Sequence, residues 1–202
     1  MAKKIILLSV IATIFFLSGC SWVYQLQSDA DKYISDMTNL NLTVPHFEFV
    51  NQDGEKMSTD DLKGQVWVAD MIFTRCPTVC GLMTPNMALL QDALIEEGLD
   101  VKLVSFTVDP EFDSPETLRK YGEGYGADFN HWMFVTGYTV DEIKQLSKET
   151  FLSVIEEMPE SNDIIHATSF FVINEEGKVI RKYDGLNSDV DVYVKDLKKY
   201  LK

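Results

Sequence analysis

The fold of this chain is decided by residues 66–80, which read VWVADMIFTRCPTVC. The first eight of these residues are apolar or β-branched apart from Asp70, and such a run is typical of a buried central strand. Cys76 and Cys80 follow directly after it. The next apolar residues recur at the spacing of one helix face: Met83, Met87, Leu90 and Leu94. The stretch therefore predicts a strand, a cysteine pair and a helix, in that order.

The elements around this stretch alternate between strand and helix. A preliminary hairpin is predicted where residues 47–50 run into Asp53-Gly54, a dipeptide that favours a tight turn. Strands follow at 66–73, 101–108 and 132–135, each with a helix after it, and the chain ends with a hairpin of strands 168–173 and 178–183 and a helix at 190–201. Alternating βα units predict one α/β domain, with a central mixed sheet flanked by helices on both faces. This order matches a thioredoxin-like fold with an extra N-terminal β-hairpin.

Composition narrows the range of functions. The 202 residues are 46% apolar and 25% charged, which describes one globular domain with a tail. The net charge of -14 disfavours nucleic acid as a partner, because a polyanion is repelled by an acidic protein. Three cysteines, an odd number, exclude a small disulfide-stapled fold and leave one thiol with a separate role.

The N-terminus supplies that role. Lys3 and Lys4 precede an uncharged, mostly apolar stretch at 5–17, which is typical of an export signal. The next residues, Leu17-Ser18-Gly19-Cys20, resemble the bacterial lipobox, in which the cysteine becomes a lipid-bearing N-terminus. We therefore expect a signal peptide at 1–19, a lipid anchor at Cys20 with a tether at 20–42, and a domain at 43–202 on the outer face of the cell membrane. The alternative is an uncleaved membrane helix, since no charge lies between Lys4 and Asp29.

Cys76 and Cys80 are four residues apart at a helix N-terminus, so their sulfurs can lie on one face. Unpaired N–H groups and the helix dipole favour thiolates at such a position, and Arg75 adds a cation. The pair can form a structural disulfide, act in thiol exchange as a redox-active pair, or bind a thiophilic metal.

A third ligand would separate metal binding from thiol exchange. His46 and His131 have the contexts of surface or packing residues. His166 differs, because it comes directly before the hairpin strand that lies beside the cysteine strand in a thioredoxin-like sheet. Two thiolates and one imidazole suit copper, Cu(I) or Cu(II), better than structural zinc, which usually takes a fourth protein ligand. The helical spacing of Met83 and Met87 favours core packing over ligation.

Acidic residues near the cysteines have several interpretations. Asp70 lies in the apolar strand six positions before Cys76, and it is either a structural buried carboxylate or a proton relay beneath the thiols. Asp109 and Asp113 follow the second strand; they can face the site, although solvated capping is the simpler interpretation. Asp70 and Asp109 are therefore candidates for the shell around the ligands.

Four motifs together resemble the Sco/SenC family, from about Phe47 to Leu201. They are FTRCPTVC at 73–80, VDPEFDSP at 108–115, FVTG at 134–137 and the dipeptide Ile165-His166. The resemblance implies a thioredoxin-like fold, one copper ion held by Cys76, Cys80 and His166, and cysteines that can form a disulfide. It also implies that the protein delivers copper to, or keeps reduced, the binuclear copper centre of cytochrome c oxidase during assembly, with the copper-centre subunit as partner.

Two residues depart from the family pattern, which usually has an acid at Thr78 and a proline at Gly81. Neither position is an expected ligand, but both can alter copper affinity. The strongest rival function is a thiol–disulfide oxidoreductase, supported by Asp70. Against it, the cysteines are separated by three residues instead of two, and no proline stands before the hairpin strand at Ala167-Thr168. An electron-transfer protein that delivers no metal is a third alternative, and the peroxiredoxin motif is absent.

Overall fold

The computed structural model describes residues 30–77, 80–158, 160–161 and 163–201. The described residues from 33 onward belong to one compact unit, which contains the central sheet. The predicted signal peptide and Cys20 lie outside the described residues. Within the described ranges, none of the helices has the length and apolar character needed to cross a bilayer.

Ten strands and five α-helices are present in the described part of the chain. The strands are β1 Ile34–Asp36, β2 Glu48–Asn51, β3 Lys56–Ser58, β4 Trp67–Ile72, β5 Lys102–Thr107, β6 Trp132–Thr136, β7 Glu156–Met158, β8 Asp163–Ile165, β9 Ser169–Ile173 and β10 Val179–Asp184. The helices are α1 Ala30–Tyr33, α2 Cys80–Glu96, α3 Pro115–Gly124, α4 Val140–Thr150 and α5 Asp191–Leu197. Two 3₁₀ turns, Thr38–Leu40 and Thr59–Leu62, complete them.

A mixed sheet of eight described strands forms the centre, in the order β1-β10-β9-β4-β5-β6-β2-β3. Strand β4 runs parallel to β5 and antiparallel to β9, and β5 runs parallel to β6. The predicted central strand, the parallel βα units, the N-terminal hairpin of β2 and β3 and the C-terminal hairpin of β9 and β10 are all confirmed.

Side chains alternate along β4 between two cores, one on each face of the sheet. Trp67, Ala69 and Met71 face the core that includes Ile143 and Leu146 of α4. The alternate residues face the core formed largely by α2, α3 and α5, where the predicted helix stripe of Met83, Met87, Leu90 and Leu94 is buried. Helices therefore cover both faces, as predicted, and Met83 and Met87 are core residues.

Helices α3 and α4 each begin directly after a residue whose side chain caps the helix. The hydroxyl of Ser114 accepts a hydrogen bond from the Thr117 amide and caps α3. Thr139 and Glu142 form a capping box at the start of α4. Pro85 lies inside α2, beyond its first turn, because that helix begins at Cys80.

Two parts of the fold differ from the sequence expectation. Strand β1 lies within the segment expected to be a tether and pairs with β10 at the edge of the sheet. Strands β7 and β8 form a separate two-stranded sheet between α4 and β9. Both involve strands of three residues that carry charges, so no apolar alternation marks them in the sequence.

Candidate metal centre

The cysteine loop joins the end of β4 to the start of α2. The Cys76 amide donates a 3.3 Å hydrogen bond to the carbonyl of Phe73, which turns the chain as it leaves the sheet. Cys76 is half-buried and packs against the core on the α4 face of the sheet. Cys80 is the first residue of α2; its side chain, and residues 78 and 79, lie outside what the structure describes. Helix α2 thus begins at the second cysteine of the pair, as expected from the sequence.

The strand register brings His166 to the same end of the sheet. Because β9 is antiparallel to β4, with Ala69 opposite Phe171, the start of β9 lies at the end of β4. His166 precedes β9 by three residues, and its ring contacts the Phe73 ring edge-on with centroids 5.9 Å apart. Phe73 is three residues before Cys76. Two of the three predicted ligand residues therefore lie at the same end of the sheet.

The orientation of the His166 imidazole is fixed by its own backbone neighbour. Its Nδ1 lies 2.9 Å from the carbonyl oxygen of Ala167, and a carbonyl can only accept a hydrogen bond. In the neutral ring Nδ1 is thus the protonated nitrogen and Nε2 carries the lone pair, the arrangement used by metal-binding histidines. His166 is 9% exposed, so the ring is also held by packing.

The other two histidines have different surroundings. His131 precedes β6, which runs parallel to the central strands, so it lies at the opposite end of the sheet from the cysteine loop. His46 is exposed, and its Nδ1 is 2.6 Å from Asp60 Oδ2. Both placements agree with the surface or packing roles expected for them.

Asp113, in the segment after β5, anchors the cysteine loop through hydrogen bonds, a role that the sequence did not reveal. Its carboxylate accepts hydrogen bonds from the Thr74 amide at 3.1 Å, the Thr74 hydroxyl at 2.5 Å and the Thr107 hydroxyl at 2.5 Å. Asp113 is fully buried, so the expected solvated cap is wrong, and Ser114 caps the helix instead. Burial raises the pKa of Asp113, while the hydrogen bonds from Thr107 and Thr74 oppose that rise.

Asp109 holds the next residue of the loop. Its Oδ2 accepts a 2.6 Å hydrogen bond from Arg75 Nε, and the Arg75 guanidinium lies 4.5 Å from the centre of the Phe112 ring. Asp109 is 7% exposed, so solvation is again not its role. The two residues before Cys76 are therefore fixed by the segment after β5. A sequence signal existed: β4 and β5 are consecutive parallel strands, so the loops that follow them meet at one edge.

Asp70 is a buried carboxylate on the α2 side of β4. Its Oδ1 accepts a 2.5 Å hydrogen bond from the Ser105 hydroxyl, which in turn accepts one from the Trp132 indole. Its Oδ2 is buried without a hydrogen-bond partner. Burial raises the pKa of Asp70 to about 7, against the opposing effects of the Ser105 hydrogen bond and the His166 charge.

The donor set decides which ion the site suits. Among the described residues no group of three His, Cys, Asp or Glu side chains is arranged around a metal position. The Cys80 side chain is not among those residues, so the predicted set of Cys76, Cys80 and His166 stays a prediction. A half-buried thiol and an imidazole with Nε2 as its lone-pair nitrogen are donors that suit copper.

Comparison with known proteins adds independent information. A family model described as SCO1/SenC matches residues 35–202. A SCO1/SenC family lipoprotein from Bacillus anthracis has a crystal structure that superposes with a TM-score of 0.76 at 45% identity, covering 80% of this chain and 96% of that one.

Two further solved structures share the fold. BsSco, described as a member of the Sco family of cytochrome c oxidase assembly proteins with a disulfide switch, superposes with a TM-score of 0.73 at 40% identity, covering 80% of this chain and 94% of that one. ScoI from Bradyrhizobium japonicum, solved with copper bound, superposes with a TM-score of 0.68 at 20% identity over 79% of this chain and 99% of that one. The predicted thioredoxin-like fold is thereby confirmed. By its sequence from residue 35 to residue 202 and by its fold, this chain belongs to the SCO1/SenC family.

Proposed function

We propose that this chain binds one copper ion through Cys76, Cys80 and His166 and serves the assembly of cytochrome c oxidase. The observation that carries the proposal is the meeting of the cysteine loop and His166 at one end of β4, in a chain of the SCO1/SenC family. The copper-bound structure of ScoI and the assembly role in the description of BsSco support it.

Each ligand would have a defined task. Cys76 and Cys80 would hold copper as thiolates, favoured by the N-terminus of α2. His166 would complete the site through Nε2, since Nδ1 is directed to the Ala167 carbonyl. Copper binding requires the reduced dithiol, because a disulfide offers no thiolate. The ion, as Cu(I) or Cu(II), is cargo for the binuclear copper centre of the oxidase.

The same cysteines support a second way of serving that centre. The reduced pair of Cys76 and Cys80 can give two electrons and two protons to a disulfide of the copper-centre subunit. That subunit then has two thiols, and this chain has a Cys76–Cys80 disulfide. The disulfide switch in the description of BsSco supports a redox role for the pair.

We further propose that residues 1–19 are a signal peptide, that Cys20 is lipid-bearing, and that the residues after Cys20 lead from the anchor to the domain on the outer face of the membrane, with β1 at 34–36 already part of that domain. The lipobox-like sequence at Leu17–Cys20 supports this, as does the description of the Bacillus anthracis relative as a lipoprotein. Cys20→Ala should release the protein from the membrane fraction, as measured by fractionation of cells. Retention of Cys20→Ala in that fraction would favour the uncleaved helix.

A transfer experiment tests the functional proposal. The copper-loaded full chain is mixed with the metal-free copper-centre domain of the oxidase, the two are separated, and copper is measured in each. We expect copper to move to the domain when the domain's own cysteines are reduced. With an oxidised domain, the reduced, copper-free chain should restore its thiols. If neither copper nor electrons reach the domain, the proposal is wrong.

The second candidate function is a general thiol–disulfide oxidoreductase, favoured by one observation. Asp70 is buried, has a pKa raised to about 7 and has an oxygen without a partner, the properties of a proton relay beneath reactive thiols. Rapid reduction of unrelated protein disulfides by the wild-type chain, unaffected by copper, would select this function over the first.

A further inference from the structure

We infer that a partner protein docks beside Cys76 through an apolar contact ringed by its own lysine and arginine side chains. The inference rests on the proposed function, because this partner is the domain that exchanges copper or electrons with the cysteines. We call the surface on this chain the docking face. It comprises three exposed apolar residues and two exposed acids: Phe112, Met158, Ile165, Glu111 and Glu156.

The docking face is continuous with the cysteine loop. A cavity of about 180 Å³ lies between that loop, the segment after β5 and the β7–β8 hairpin, and Arg75, Glu111, Glu157 and Met158 all line it. Phe112 stacks on the Arg75 guanidinium, one residue from Cys76. A partner seated on this face would therefore contact the surroundings of the thiol.

The β7–β8 hairpin turns one side toward solvent. Glu156 pairs with Ile165 and Met158 with Asp163, and residues opposite one another in an antiparallel pair share a face. Ile164, on the other face, packs against the core. On the outer face Met158 is 42% exposed and Ile165 is 49% exposed. The hairpin directly before His166 thus presents two apolar side chains to solvent, Met158 of β7 and Ile165 of β8.

The charge around these apolar residues indicates which partner fits. Glu111 and Glu156 of the docking face are exposed. Two nearby cations have partners within the chain, since Arg75 pairs with a buried carboxylate and Lys144 lies 3.3 Å from Glu157. The chain as a whole carries a net charge of -14. An anionic membrane surface would be repelled, whereas a protein with a basic rim would be attracted.

The arrangement resembles the anatomy of transient protein interfaces. Such interfaces have an apolar centre and a polar rim; the rim charges speed association, and the buried centre slows dissociation. Phe112, Met158 and Ile165 would form the centre and the glutamates the rim. The docking face would thereby place the partner's site over Cys76 and His166.

Paired variants of the full chain test the inference. Glu156→Lys alters the rim and Met158→Ser alters the centre. Their matched controls are Glu96→Lys and Ile95→Ser at the end of α2, about 24 Å along the helix from Cys80. Ile95 has the same 42% exposure as Met158. Binding to the copper-centre domain of the oxidase is measured by biolayer interferometry with reduced thiols, at low and high ionic strength.

We expect Glu156→Lys to slow association at least threefold at low ionic strength. We expect Met158→Ser to raise the Kd about tenfold, and both control variants to bind like the wild type. Equal binding by variants and controls, or no binding by the wild type, would overturn the inference. The inference would also be overturned if the variants changed only the binding to vesicles that contain phosphatidylglycerol. Copper binding by each protein is measured separately. If the wild type binds no copper, the proposed function is refuted. If only the docking inference is wrong, the wild type still binds copper.

Discussion

Replacing Asp113 by alanine should loosen the cysteine loop and destabilise the domain by about 3 kcal/mol. The substitution removes the acceptor of three hydrogen bonds, from the Thr74 amide, the Thr74 hydroxyl and the Thr107 hydroxyl. A buried amide left without a partner costs about 1–3 kcal/mol, and each lost hydroxyl bond costs about 1 kcal/mol or less, because a hydroxyl can rotate to another acceptor.

Asp113→Asn should cost only about 1 kcal/mol, because its amide oxygen can still accept from Thr74 and its amide nitrogen can donate to a threonine hydroxyl. Glu111→Ala is the control, an exposed acid of the same segment, expected within about 0.5 kcal/mol of the wild type. Urea unfolding of the reduced proteins measures all four free energies. If Asp113→Ala unfolds at the same urea concentration as Glu111→Ala, Asp113 does not anchor the loop.

Two further predictions concern stability. The pKa of Asp70 is about 7 in the folded protein, whereas its ordinary value is 3.8. Between these two pH values the folded state binds a proton that the unfolded state does not bind, so the wild-type stability should rise as the pH falls from about 7 to about 4. Asp70→Asn should remove that dependence and gain at most about 4 kcal/mol at pH 8, by urea unfolding; an unchanged pH slope would contradict this. Gly137 and Gly54 both have positive φ, but a Cβ at Gly137 would lie 2.7 Å from Val50, whereas the space at Gly54 is open. Gly137→Ala should therefore cost about 2–3 kcal/mol and Gly54→Ala about 1 kcal/mol, and equal losses in thermal unfolding would refute the role of Val50.

The parts of the fold that sequence predicts are those with long, regular signals. The run at 66–73 is apolar on both sides, and the structure buries β4 between two cores. Hairpin β9–β10 has a turn signal between two apolar runs, and its pairing follows the prediction. In these cases the local pattern and the tertiary environment agree.

Strands β1, β7 and β8 could not be predicted. Each has only three residues, some of them charged, which is too short to show an alternation of apolar and polar residues. Strand β1 is fixed by its pairing with β10, where Ile34 lies opposite Tyr183. Such a contact exists only once the sheet has formed, so tertiary pairing decides the strand.

The sequence predicted that Cys76 and His166 lie at the same end of the sheet, but it did not predict which side chains support them. Cys76 and His166 stand out by residue type, and the strand order places them at one end of the sheet. The Asp113 bond to Thr74 joins residues 39 positions apart, and nothing in the local sequence marks this aspartate as buried and not solvated. A buried polar contact of this kind depends on the side-chain geometry of two loops, which no periodicity encodes.

The copper affinity of the reduced full chain tests the central claim most directly. Copper(I) is titrated in competition with a chelator into the wild type, His166→Ala and the control His46→Ala. His46 is a suitable control because its imidazole pairs with Asp60 at the surface. We predict one copper per wild-type chain, at least tenfold weaker binding by His166→Ala, and wild-type binding by His46→Ala. Equal affinity of His166→Ala and the wild type would contradict a site built from Cys76, Cys80 and His166.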